Sequence, residues 1–187
     1  ASEDRTDEIV RSFRDPRVRL VRMERRGGKV RALNRLAELA RGEILFFTDA
    51  NAHIPPGCLR RMVRHFADPR VGCVTGMTRS GQQAETGAIG QGAGIYFRYE
   101  SLIARLESRL GSVLACDGAA HCLRRDLFQP LQPDLANDLE TPLRVAQAGY
   151  LTIFEPEGYA LEKETESPRE EFARRKRIAA QGALALW

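Results

Sequence analysis

Asp49 and Asn51 stand two residues apart, directly after the apolar run Ile44-Leu45-Phe46-Phe47 and shortly before Pro55-Pro56. That run is short, aromatic and uncharged, which predicts an interior strand of a sheet covered on both faces. In open α/β sheets ligands bind just beyond the carboxyl ends of the strands, and there the pair would present two oxygen-bearing side chains. The alternative use of both residues is to shape the turn before the prolines. Lys29 follows Gly27-Gly28 at the start of a helical pattern, an unusual place for a cation, because the helix dipole disfavours positive charge at that end. Asp138 precedes another helical pattern, where a carboxylate can act as general base or simply cap the helix, Thr141-Pro142 being the alternative start. Arg174 and Arg177 are three apart and share a helix face. Zinc chemistry is not expected: Cys58, Cys73, Cys116 and Cys122 show no C-x-x-C spacing and the three histidines are scattered.

These residues are positioned by alternating strand and helix signals. "VRLVRM" (18–23) predicts a strand, and a helix follows the "RRGGK" turn with Val30, Leu33, Ala37 and Ala40 on one face and Gly42 as its stop. After the strand at 43–48, Pro56 opens a helix with Leu59, Met62, Val63 and Phe66 on its apolar face, ended by Asp68-Pro69. "VGCVTG" (71–76) predicts the next strand. The glycine-rich stretch 80–94 predicts a loop, and Ile95, Tyr99, Leu102, Ile103, Leu106 and Leu110 form one stripe of a long helix closed by Gly111. "SVLACDGAAHCLRR" predicts one or two short strands broken at Asp117-Gly118. A helix then runs to Gly149, and "YLTIFEP" and "YALEKE" predict strands. Ser167-Pro168-Arg169-Glu170 is a capping box opening a last helix. The βαβαβ order predicts a mainly parallel sheet with helices on both faces. The opening "SEDRTDEIV" reads as the loop and helix after a strand, so about one βα unit of about 30 residues is expected to precede it.

A chain of 187 residues suffices for one domain with a sizeable core. Its N-terminus is acidic and polar, unlike a secretory leader, and no uninterrupted apolar run is long enough to span a bilayer. The cysteines do not form a secreted disulfide framework, so incidental thiols in a reducing compartment are expected. A net charge of +4, mostly from arginine, favours anionic partners, or is merely a solvated surface. Nucleic acid is a poor fit, because the arginines are not interleaved with aromatics and no recognition motif occurs.

Seven stretches occur in the order of one known family: "SEDRTDEI", "GGKVRALN", "FFTDAN", "ADPRVGCVTG", "YFRYE", "NDLETPL" with "AGY" after it, and "EEFARRKRI". On them the chain resembles the family 2 glycosyltransferases, and most closely their bacterial, cellulose- or hyaluronan-synthase-like branch. The resemblance implies a GT-A-type, Rossmann-like α/β fold lacking its N-terminal strand, as one catalytic domain. Residues 1–79 would be its nucleotide-binding half, and 80–187 its acceptor side and C-terminal helix. It implies a nucleoside-diphosphate sugar donor, a UDP-sugar first, a divalent cation (Mn2+ or Mg2+), and a glycan or lipid-linked acceptor. It further implies a cytoplasmic location at the inner face of the membrane, attached through segments outside this chain.

The same resemblance assigns roles. Asp49 and Asn51 occupy the family's Asp-x-Asp site for the donor and its metal, with Asn51 in place of the second acid. Lys29 falls near the nucleotide. Glu3 and Asp7 match the segment holding base and ribose, although Asp7 could equally be an N-terminal helix charge. Asp138 matches the catalytic base, with Asn137 in the slot before it, and Asp117 an acceptor-side position. Arg174 and Arg177 match the Q-x-x-R-W segment, with Ile178 where the tryptophan stands, and would face the diphosphate. Their alternative is a solvated or membrane-surface patch. Asn34 reads as a polar bridge between helix and loop. The activity implied is inverting, metal-dependent sugar transfer to a hydroxyl. The alternative is a degenerate domain of the same fold that binds nucleotide or glycan without turnover.

Overall fold

The computed structural model describes residues 3–80, 91–133, 137–162 and 176. Two helices, α1 (Thr6–Ser12) and α2 (Gly28–Leu39), lead into strand β1 (Ile44–Phe47). Helix α3 (Cys58–Val63) tightens into a 3-10 turn at Arg64–Ala67 before β2 (Val71–Ser80). Then come α4 (Gln91–Leu110), β3 (His121–Arg124), α5 (Asn137–Gln147) and β4 (Leu151–Glu162). The sheet order is β1-β3-β2-β4. β3 pairs antiparallel with both neighbours, whereas β2 and β4 are parallel. The result is a mixed α/β sheet with flanking helices, in which β1, β2 and β4 share one direction and β3 opposes them.

β1 is covered on both faces, as its composition demands, yet it lies at the edge of the described sheet and not in its interior. Period-two alternation sends Leu45 and Phe47 into a cluster with Cys73, Leu123 and Val145, roofed by Leu33, Ala37 and Ala40 at the α2 side. Ile44 and Phe46 face the opposite cluster of Cys58, Met62, Val74 and Cys122. In α3 the buried positions are Cys58 and Met62, while Leu59 and Val63 are exposed. The helix begins at Cys58, after Gly57 at φ +85, and this sets its rotation. Asn34 is the bridge expected of it: its amide donates to the Leu131 carbonyl at 3.0 Å and accepts from the Leu131 N–H at 2.9 Å.

Other expectations change as well. Residues 18–23 form no strand, because no described strand pairs with them and Val18 stays exposed. Helix α4 takes in 91–94, which the glycine content had given to the loop. The 112–125 stretch keeps its expected form, with one short strand, 121–124, after the Asp117-Gly118 break. The two C-terminal strands are one, β4, which bulges where Phe154 and Tyr159 pair with Thr75 and Met77. There a Cβ on Gly76 would lie 1.5 Å from the Gly158 carbonyl oxygen, so only glycine fits. The capping box at 167–170 lies outside the described residues.

Candidate active site

The loop after β1 turns at once, the Ala52 N–H donating to the Asp49 carbonyl at 3.1 Å. It is pinned to the end of β4 by reciprocal 2.8 Å bonds between His53 and Leu161. Asp49 therefore projects from a fixed turn, with Asn51 exposed on the same turn. The Asp49 carboxylate pairs with Lys29, the second residue of α2, and both side chains are partly open to solvent. Gly28 at φ +77 lets the chain enter α2 there, and no side chain caps that helix end. This corner thus offers a carboxylate, an amide oxygen, an ammonium group and the N–H donors of a helix start.

The adjoining corner is built differently. The Lys29 ammonium lies 3.9 Å from where a Cβ on Gly118 would sit, which places Asp117 next door. The Asp117 carboxylate accepts from the Thr78 N–H (2.6 Å), the Thr78 hydroxyl (2.8 Å) and the Ala119 N–H (2.9 Å). Its own N–H donates to the Thr75 hydroxyl oxygen at 2.8 Å. Asp138 stands in the first turn of α5, one carboxylate oxygen accepting from the Leu139 N–H at 3.1 Å. The helix begins at Asn137, so Thr141-Pro142 is not its start. Pro142 sits inside it, fully buried. Having no N–H, Pro142 cannot bond the carbonyl four residues back, that of Asp138. The Cys116 N–H takes that carbonyl instead, at 2.8 Å, and so ties the Asp117 loop to the first turn of α5.

His121 lies at the seam of the two corners. It is buried and stacks on Phe47 with centroids 4.7 Å apart, and its Nδ1 is 2.8 Å from the Asp117 carbonyl, which it meets as a donor. Burial holds its pKa below the ordinary histidine value, and Lys29 pushes the same way, against Asp117 and Asp138. Composition gave this histidine no role. Its signal was only its place at the start of a strand beside the Asp117-Gly118 break.

The structure thus brings Lys29, Asp49, Asn51 and Asp117 to the carboxyl-end side of β1 and β2, with Asp138 tied in through its carbonyl bond to Cys116. Glu3 lies apart, in a cleft with Arg26 and Gly27-Gly28, and is 3.4 Å from the Arg26 guanidinium. Asp7 is occupied by an ion pair with Arg22. Arg174 and Arg177 lie outside the described residues. Among the described residues no three potential ligands from His, Cys, Asp and Glu cluster in one place.

A sequence profile described as "Glycosyl transferase family 2" matches residues 1–131. The chain belongs to that family. Over 77 residues this family 2 chain is 38% identical to the beta-monoglucosyldiacylglycerol synthase of Synechocystis sp., covering 39% of this chain and 16% of that protein. Its fold is similar to a mannosyltransferase from Pyrobaculum calidifontis, solved in complex with GDP-Man and Mn2+. That likeness has a TM-score of 0.77 and 29% identity, over 97% of this chain and 50% of the other. A glucosyl-3-phosphoglycerate synthase from Mycobacterium tuberculosis shares the fold at TM-score 0.53 and 20% identity, over 96% of this chain and 64% of that one. The chain therefore spans half the length of the mannosyltransferase and a smaller share of the curated relative. These matches speak for the family and the GT-A fold, not for the synthase-like branch.

Proposed function

We propose that this family 2 chain carries the catalytic site of an inverting glycosyltransferase, moving a sugar from a nucleoside-diphosphate donor to an acceptor hydroxyl. The observation that supports the reading is the approach of the Lys29–Asp49 pair to the Asp117 loop beyond β1, to which the first turn of α5 with Asp138 is bonded. Displacement at the anomeric carbon needs a base on the attacking hydroxyl and charge relief on the departing diphosphate. Asp138 takes the acceptor proton as the hydroxyl attacks opposite the leaving group, inverting the centre in one step. Lys29 and the open N-terminus of α2 face the diphosphate, and Arg174 and Arg177 add guanidinium donors by family likeness. Glu3 belongs to the nucleoside side; Asp7, engaged by Arg22, serves the frame around it.

The donor set of the β1 turn fits a divalent cation, because magnesium and manganese sites typically take one or two protein oxygens and complete the shell with phosphates and water. Asp49 would hold the ion, with the Asn51 carbonyl beside it, and when bound it would draw charge from the diphosphate. UDP-sugars are the first donors to test, with GDP-sugars beside them because of the mannosyltransferase likeness. Asn51, standing where an acid is usual, favours the second reading, a domain that binds without turnover.

Calorimetric titration with UDP and GDP, with and without Mn2+, tests the site directly. Metal-dependent binding by the wild type that Asp49→Ala loses is the expected result. Binding that ignores both the metal and Asp49 overturns the donor assignment. Retained binding without transfer from any UDP- or GDP-sugar selects the second reading.

A further inference from the structure

The four cysteines, which show no motif spacing in the sequence, are sorted by the fold onto the two faces of the sheet. Cys73 and Cys116 lie in the cluster that α5 closes with Val145, and their sulfurs are 3.5 Å apart although 43 residues separate them in the chain. Cys58 and Cys122 belong to the opposite cluster, where the Cys58 sulfur meets that of Met62 at 3.8 Å. Among the described residues Cys73 and Cys116 are thus the one pair of thiols in contact. All four are free and buried.

The pair joins a fixed residue to a less constrained one. Cys73 stands within β2, laddered to Leu123 of β3 on one side and to Thr152 of β4 on the other. Cys116 lies in the loop between α4 and β3, just before Asp117, and its N–H holds the Asp138 carbonyl at 2.8 Å. Any tightening between the two sulfurs is therefore taken up by Cys116. Cys116 also lines a groove of about 500 Å³ between α4 and β2, together with Thr78, Glu107 and Asp117, whereas Cys73 does not. A molecule as small as a peroxide can meet Cys116 there. The contact with Cys73 and burial hold the Cys116 thiol well above its ordinary pKa. Since the thiolate is the reactive form, the pair answers sustained exposure to an oxidant and not a brief pulse.

We propose that Cys73 and Cys116 form a reversible disulfide when the chain meets a hydroperoxide, and that this bond disturbs the hydrogen bond by which Cys116 holds the first turn of α5. The Cys116 sulfur attacks the O–O bond and becomes a sulfenic acid, its proton leaving with the departing oxygen as water or an alcohol. The Cys73 sulfur then attacks the Cys116 sulfur and expels the hydroxyl, which leaves as water with the Cys73 proton. Two electrons pass from the sulfurs to the peroxide, and a dithiol reductant returns them. If the function proposed above also holds, on which this clause alone rests, oxidation displaces Asp117 and Asp138 and slows sugar transfer.

The test exposes the whole folded chain to hydrogen peroxide, then unfolds it, alkylates the remaining thiols with N-ethylmaleimide and digests it for mass spectrometry. A Cys73–Cys116 cross-link is expected, erased by dithiothreitol, with Cys58 and Cys122 carrying the maleimide. In the cross-linked chain, exchange of the Cys116 amide should quicken by about fivefold, the factor for one hydrogen bond. Oxidation of Cys116 that stops at sulfinic acid, or a cross-link through Cys58 or Cys122, overturns the proposal. So do free Cys73 and Cys116 thiols after an exposure that oxidises the urea-unfolded chain, and so does unchanged amide exchange in the cross-linked chain. Turnover of the wild type should fall by about tenfold or more on oxidation and return with dithiothreitol, while Cys73→Ala keeps its own turnover through the same exposure. If Cys73→Ala does not fold, the wild-type cross-link and amide exchange still decide. Neither of those readouts needs sugar transfer, so a chain that cross-links without transferring sugar in any state would sink the proposed activity alone.

Discussion

The two corners of the site keep their carboxylates in opposite ways. Among the described residues Asp49 is held by one solvent-touched ammonium, that of Lys29. Asp117 is held by two backbone N–H groups and a hydroxyl, in a part-buried turn. A surface ion pair is worth about 0.2–1 kcal/mol and exchanges readily for a better partner, whereas stripping a buried donor of its acceptor costs about 1–3 kcal/mol. The Asp49 pair is therefore the one that changes partners at little cost, as the proposed binding of a diphosphate and its cation requires, and the Asp117 corner is the one that stays put. Asp138 joins the two designs, its carbonyl fixed by Cys116 while, among the described residues, its carboxylate bonds to the adjacent amide alone.

The largest effect should come from Asp138→Asn. Loss of a general base costs about 10²–10⁴ in rate, and the change leaves the shape of the α5 turn intact. Initial-rate assays should show that loss, while calorimetry shows nucleotide affinity nearly unchanged. If affinity and stability fell along with rate, Asp138 would be a helix cap and not a base.

Next comes Asp117→Ala, which strands the N–H groups of Thr78 and Ala119. Urea unfolding should show a loss of about 2–4 kcal/mol, against a change within about 1 kcal/mol for Asp49→Ala. Similar losses in the two variants would erase the contrast between the corners. The acceptor-side position read for Asp117 is a proposal that this geometry shapes: its oxygens are engaged by the turn, so it would meet an acceptor as part of the groove wall that it lines.

How far the sequence revealed this site depended on the reach of each interaction. Asp49 and Asn51 were legible because a charge-free strand and two prolines fix where the turn must be, and Asn34 because a polar residue on an apolar helix face needs a partner. The face of α4 was legible only as a stripe: periodicity tells which residues share a side, and the bonds from the Phe154 and Thr152 N–H groups of β4 to the Ser108 and Ser112 hydroxyls decided that this side faces out. Residues 18–23 have strand composition, but a strand exists only with a ladder partner. Thr141-Pro142 read as an alternative helix start, because the real effect of Pro142, freeing the Asp138 carbonyl for Cys116, involves a residue far away in sequence.

That last contact gives a finer probe. Pro142→Ala restores an N–H that competes for the Asp138 carbonyl and loosens the Cys116 bond. Exchange of the Cys116 amide, followed by NMR, should quicken about fivefold, the factor for one hydrogen bond of about 1 kcal/mol. Turnover should fall by no more than about tenfold, since the carboxylate is displaced and not removed. Unchanged exchange would show that the two corners are held together by packing alone.

The smallest effect lies in the pH dependence of stability, and it tests the seam itself. His121 has a folded pKa lowered by burial, so the unfolded chain binds its proton first as pH falls below about 6.5. More protons on the unfolded side mean that stability rises with pH in that window, and acidification costs stability until the folded value is reached. Glu155 acts in a lower window. Burial pushes its carboxyl up, but bonds from His65, the Glu157 N–H and Arg64 outweigh this and leave it below the usual value. Its contribution is present above the ordinary glutamate pKa and is lost as pH falls through the folded one. Denaturant titrations between pH 7 and pH 5 should therefore show a slope that His121→Asn removes, its amide donating to the Asp117 carbonyl in place of Nδ1. Glu155→Gln should leave that slope and flatten the one at lower pH. If His121→Asn kept the upper slope, another group would be titrating there, and His121 would join the two corners through its shape alone.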